Sequence, residues 1–297
     1  MNGRRQRGVA LLTVLLLLAV AVAACTALMV GQQRQILSQA DQASHRQAWQ
    51  WALEVEARSL QALSEAASHR VMPVLVLPPP PEHTQWQGQL VDLSGRLNLN
   101  ALVSGPGQLD SQAYARFQRL LQVLQLPPAL ARTVIARIDP AAVPAGPAVP
   151  PLPVHGALAD SSELRTLPGF DAAVWATLEP HVTALPAAIG LNLNQASAPV
   201  LASLADGLGQ AGGQRLRAAR PPGGWASVAA FTGQPALARQ VIASQGLAVE
   251  GRAYQIHSRI RHADTPLLLV SQVLADRGRW RVISRQVQPV IAVEEQQ

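Results

Sequence analysis

The sequence predicts an α+β fold: a long N-terminal helix, a few strands, a large and mostly helical block, and a closing set of antiparallel strands. Three observations carry this. Residues 32–70 contain neither proline nor glycine. The middle of the chain alternates short helical patterns with proline- and glycine-rich breaks. From Tyr254 onward, apolar and polar side chains alternate with the period of two that a half-buried strand requires.

The first element begins with Arg4, Arg5 and Arg7, which precede a stretch without charge, proline or glycine from Val9 to Val30. About 20 apolar residues suffice to cross a bilayer as a helix and exceed a typical secretory signal core. The arginines before it orient the N-terminus to the cytoplasm. Three fates are open. Small residues such as Ala21, Ala23 and Ala24 would serve signal cleavage. Val22-Ala23-Ala24-Cys25 resembles a lipobox, and Cys25 is the only cysteine. The third fate is retention, and the following residues favour it. Leu37, Ala40, Ala48, Ala52, Val55, Leu60 and Leu63 recur at helical spacing and form one apolar stripe. A single helix over residues 9–70 would be about 90 Å long, lipid-compatible in its first half and amphipathic in its second. Cleavage at Ala24 would discard half of that pattern.

Residues 71–77 and 85–100 read as strands on either side of a stiff polyproline connector, Pro78 to Pro81. Helices are expected over residues 111–125 and 128–138. The proline- and alanine-rich stretch 139–153 that follows is a loop. Shorter helices are expected over 161–166, 172–178, 198–204 and 213–219. Tyr254, Ile256, Ser258 and Ile260 alternate, and two further strands flank a turn at Arg277-Gly278, giving a meander. Two LNLN stretches, Leu97 to Asn100 and Leu191 to Asn194, echo each other. Alternation places their leucines inward and asparagines outward, with the second asparagine of each able to cap a following helix.

Composition excludes more than it identifies. The 297 residues suit one or two domains, and 48% hydrophobic content is ample for a core. All 24 basic residues are arginine. Without Arg4, Arg5 and Arg7 the formal charge falls from +6 to +3, and a balance this modest does not demand a nucleic-acid partner. Cys25 has no disulfide partner. Gly207 to Gly212 fits GxGxxG, but a helical pattern precedes it where a dinucleotide site needs a strand. The seven histidines are scattered and no hydrolase, Walker or paired-cysteine motif occurs, so an enzyme is not expected. Leu167-Pro168-Gly169-Phe170 is compatible with a helix-hairpin-helix turn against DNA phosphate. Asp171, Glu179 and Glu163 stand around it, however, with Arg165 the one cation.

A basic leader ending in Gly8, an apolar run and an unbroken amphipathic helix resemble the type IV pilin class, whose members prepilin peptidase cuts after that glycine. The resemblance implies cleavage between Gly8 and Val9 and N-methylation of Val9. Thr13 stands where most members carry a glutamate, and the K-type minor pseudopilins of type II secretion usually lack that acid. Further motifs match this family in order. They are Gly95-Arg96-Leu97-Asn98-Leu99-Asn100; Ser162-Glu163-Leu164-Arg165 with Pro168-Gly169; Leu178-Glu179-Pro180-His181-Val182 with Leu185-Pro186; and Asn192-Leu193-Asn194-Gln195-Ala196.

The resemblance implies a long helix packed on a small antiparallel sheet, with the helical domain inserted between sheet strands. The segments are then a leader (1–8), a membrane part of the helix (9–31), a periplasmic part (32–70), pilin-like strands (71–100), the inserted domain (101–245) and C-terminal strands (246–297). It also implies a single pass through the bacterial inner membrane with a periplasmic head. Its partners are the I-type and J-type minor pseudopilins, the major pseudopilin and prepilin peptidase. Calcium is implied as well, held by acidic residues of the helical domain. Here the matching stretch 139–159 has Asp139 as its only acid, with Asp160 and Glu163 just beyond, so no metal ligands are assigned. The alternative reading is a lipoprotein or single-span periplasmic scaffold.

Overall fold

The computed structural model describes residues 3–66, 69–144, 146 and 155–289. Helix α1 runs unbroken over Gly3–Glu65. It stops short of the expected residue 70 because the chain turns back onto the sheet. His69 Nε2 donates to the Leu63 carbonyl at 2.8 Å, and the His69 carbonyl accepts from Gly251 N. Residues 71–77, expected as a strand, carry no regular structure. Pro73 removes a ladder donor there, and Leu77 packs beside Val55 of α1 and Trp86. Val74 and Val76 point outward.

Strand β1 (Thr84–Asp92) starts the main sheet. The chain then leaves the sheet for an inserted block before the sheet resumes. The block opens with β2 (Leu97–Asn98), β3 (Val103–Gly105), β4 (Gln108–Leu109), α2 (Ser111–Val123), α3 (Leu130–Ile138), α4 (Ala172–Leu178) and β5 (Val182–Thr183). It continues with β6 (Leu191–Asn192), α5 (Ala198–Ala202), α6 (Gly209–Ala218), α7 (Val228–Thr232) and β7 (Leu247–Ala248). The expected helix at residues 161–166 is a 3-10 turn. Strands β8 (Ala253–His262), β9 (Thr265–Asp276) and β10 (Arg279–Gln288) complete the sheet, whose order β1-β8-β9-β10 is antiparallel throughout. Tight turns at Ala263-Asp264 and Arg277-Gly278 join the last three strands, and positive φ at both Arg277 and Gly278 suits the right-handed strand twist.

Helix α1 covers one sheet face. Ala48, Ala52 and Val55 pack on Ile260, Leu267 and Leu269, and Leu63 packs on Tyr254, Ile256 and Val273. These α1 positions are fully buried, and each aliphatic side chain the size of valine or leucine contributes about 1.5–3 kcal/mol. A single sheet layer would leave its apolar face to water, so the helix is as much a part of the core as the strands.

The inserted block has its own core, built in two similar halves. In α2, Asp110 caps by accepting from Gln112 N and Ala113 N, and Phe117, Leu120 and Leu121 face inward. The first half closes where β2 pairs in parallel with β5. The second closes where β6 pairs in parallel with β7. Residues 246–248, expected with the C-terminal strands, therefore belong to the block, because Leu191 N and Leu193 N donate to the carbonyls of Gly246 and Ala248.

Candidate functional site

Gly8, Val9 and Thr13 lie within α1, and their side chains fall outside the described residues. Most side chains of the expected span, residues 9–30, do so too. Among the described residues no helix is long and apolar enough to cross a membrane. Cys25 is described, as an exposed free thiol on the continuous helix.

Further along α1, the amphipathic half is fastened to the sheet by a polar pin. Glu56 is 4% exposed. It accepts from Arg285 Nη2 at 2.8 Å, Arg285 Nε at 2.9 Å and Ser271 Oγ at 2.5 Å. Burial pushes its carboxyl upward, but the bonds from Arg285 and Ser271 outweigh that and hold it below the usual range. Three elements, α1, β9 and β10, are thereby locked in one register.

A second network welds the sheet to the block. Asp92 ends β1 and accepts from Ser94 N at 2.7 Å, Ser94 Oγ at 2.6 Å and Asn192 Nδ2 at 2.7 Å. Ser94 Oγ in turn accepts from Arg252 N and Ala253 N, where the chain re-enters the sheet. Burial raises the Asp92 carboxyl above its ordinary range despite these bonds. Gly251 is obligatory beside it: a Cβ there would sit 2.2 Å from Tyr254 Oη and 2.4 Å from Asp92 Oδ2.

The LNLN echo is the third feature, and the structure corrects its expected orientation. All four asparagines are buried. Each pair divides the work in the same way. Asn98 and Asn192 accept from the N–H two residues on, which closes the local turn. The second asparagine reaches across its half instead of capping a helix. Asn100 Nδ2 donates to the carbonyls of Leu158 and Leu185, and its Oδ1 accepts from Leu158 N. Asn194 Nδ2 donates to the carbonyls of Trp225 and Val249, and its Oδ1 accepts from Trp225 N. The halves meet at Gly95, where a Cβ would lie 2.8 Å from the Gln195 backbone.

The carboxylates suggested for calcium have other tasks. Asp139 accepts from Gly107 N and Ala141 N. Asp160 accepts from Ser162 N, and Glu163 accepts from Ala159 N and pairs with Arg137. Calcium needs six to eight oxygens with several carboxylates converging. These residues do not fit such a site, and among the described residues no three His, Cys, Asp or Glu side chains group to hold a metal. The Leu167-to-Phe170 turn buries Leu167 and Phe170, and Gly169 abuts Leu130 of α3. The Gly207–Gly212 stretch runs into α6 from the helix α5, so no strand precedes it.

Two family models, both described as type II secretion system protein K, match residues 95–187 and 191–250. The type II secretion system protein K of Pseudomonas aeruginosa is 33% identical over 318 residues, covering 95% of this chain and 93% of that protein. The chain belongs to the type II secretion system protein K family. Protein K of Aeromonas hydrophila is 27% identical over 275 residues, covering 78% of this chain and 81% of its own length. Among solved structures, the GspK-GspI-GspJ complex of the enterotoxigenic Escherichia coli type 2 secretion system holds a chain of the same fold. It matches with a TM-score of 0.68 at 24% identity, covering 84% of this chain and 98% of that one.

This membership makes the chain a minor pseudopilin, a structural component of secretion, as the leader, Thr13 and the motif order led one to expect. The two matched regions coincide with the two halves closed by β2–β5 and β6–β7. The α+β fold with an antiparallel sheet agrees with the solved relative's. Sequence reasoning missed Asp92, Ser94 and Glu56. The signal for Glu56 was available: a carboxylate next to Val55, on the edge of an apolar stripe, demands a partner.

Proposed function

We propose that prepilin peptidase cleaves this pseudopilin between Gly8 and Val9, that Val9 is then N-methylated, and that the helix beyond anchors it in the inner membrane. The N-terminus faces the cytoplasm and the sheet and inserted block face the periplasm. The subunit performs no chemistry. It assembles with the I-type and J-type minor pseudopilins and the major pseudopilin, and it caps the tip of the filament that drives export of folded proteins.

The observation that carries the tip assignment is the placement of the inserted block. It leaves the sheet after β1 and returns at β8, so one end of a small sheet bears a body larger than the sheet itself. Such a head would collide with its copies in a tightly wound repeat and is unhindered at an end. Thr13 supports the same position. In pilins the glutamate there neutralises the terminal amine of the subunit above, and a carboxylate in lipid is costly without such a charge. A first subunit has no neighbour above. A threonine hydroxyl can return its hydrogen bond to a carbonyl of its own helix.

A fluorophore on the periplasmic head, imaged on assembled filaments, tests this. Label at one end is expected. Label spread along the shaft, or failure of the full chain to co-purify with the two other minor pseudopilins, would overturn it.

A further inference from the structure

The positive charge of the folded body is concentrated on one part of it. Residues 95–250 carry ten arginines against eight carboxylates, whereas residues 252–288 carry seven arginines against two aspartates. Within that second stretch, two arginines are already answered: Arg285 by Glu56 and Arg281 by Asp276. Arg259 and Arg261 are exposed, and among the described residues no carboxylate pairs with either.

The strand register shows where they point. Tyr254, Ile256 and Ile260 of β8 lie buried beneath α1, so alternation turns Arg259 and Arg261 to the opposite sheet face. There Arg259 stands between Gln87 of β1 and Leu268 of β9, and Leu268 stands beside Gln288 of β10. Gln85 flanks Arg261. The end of this face nearer the inserted block is closed, with Val270 buried and Gln272 donating to Asp160. The other end is open.

Arg259 and Arg261 are two residues apart on one strand, so their Cα atoms stand about 7 Å from each other and both guanidinium groups lie on one face. That pairing is repulsive in the free subunit and is relieved by carboxylates brought from outside. Arginine forks and glutamine amides offer several donors on a flat surface, with Leu268 supplying apolar contact. An anionic lipid surface is too distant to serve. The open end lies beside Ala48 and Ala52 of α1. About 27 Å of helix separates Ala48 from Val30, where the proposed span ends, and charge is screened over about 8 Å.

We propose that this open sheet face, centred on Arg259 and Arg261, docks an acidic surface of a neighbouring minor pseudopilin head. This rests on the assembly reading given above and adds the surface and the chemistry of the contact. The face is turned away from α1, so it is available while the helix packs within the filament.

The test uses the full chain in detergent, co-expressed with its I-type and J-type partners and captured over a range of salt concentrations. The R259E/R261E variant should weaken capture about tenfold and flatten its salt dependence. R259K/R261K should retain most of the binding. Gln87→Glu, which supplies a carboxylate from within the face, should weaken capture without touching either arginine. R215E/R217E on α6 should have no effect. Thermal melts that coincide with the parent's establish that each variant is folded. Capture by R259E/R261E and Gln87→Glu with undiminished strength and salt slope overturns this inference and leaves the assembly reading standing. A parent chain that captures neither partner overturns both.

Discussion

Asn100 and Asn194 each saturate both ends of a buried amide, two donated bonds and one accepted. Truncation would leave several backbone groups without partners in a dry interior, each costing about 1–3 kcal/mol. Asn100→Ala and Asn194→Ala should each lower stability by about 3 kcal/mol, read as a fall in the thermal midpoint of the full chain. Asn→Asp should not rescue, because a carboxylate cannot donate to the two carbonyls. An unchanged midpoint in either alanine variant would show that the clamp is ornamental. The pattern behind this was legible in the sequence as a repeat, whereas its orientation was not. Alternation implies outward asparagines only when one strand face meets water. Here only Asn98 and Asn192 lie in strands, which end at once, and Asn100 and Asn194 follow in buried turns, so no alternating face exists.

At the scale of elements, the long helix and the final hairpins were legible because their periods, 3.6 and 2, persist over many residues. The failures have physical causes too. Residues 71–77 alternate like a strand but lack a ladder donor at Pro73 and run into the prolines from Pro78, and β7 has a strand's residues but finds its partner in β6. No local pattern reveals that Glu56 meets Arg285, a residue 229 positions away. That pin has a pH signature. The folded Glu56 carboxyl lies below its ordinary value of 4.5, so its stabilisation is present above that value and is lost as pH falls through the folded pKa. Glu56→Gln should therefore cost about 2 kcal/mol at neutral pH. It should also remove part of the parent's acid sensitivity below pH 4.5, as urea unfolding across pH 3–7 would show. Parallel pH profiles for parent and variant would contradict the assignment of this pair as the fastening between α1 and the sheet.

For the whole molecule, the architecture is a helix that shares its core with a four-stranded sheet, and a two-part block joined to that sheet at two adjacent crossings. Asp92, Ser94 and Asn192 tie those crossings together, so head and helix are built to move as one body. A head fixed in this way to its long helix suits a structural component of secretion. The proposed assembly depends on cleavage between Gly8 and Val9. Mass spectrometry of the N-terminal peptide from the native membrane is the most direct measurement. A chain that starts at an N-methylated Val9, with residues 1–8 gone, is the predicted result. A mature chain starting at a lipidated Cys25, or one retaining Gly8, would contradict it.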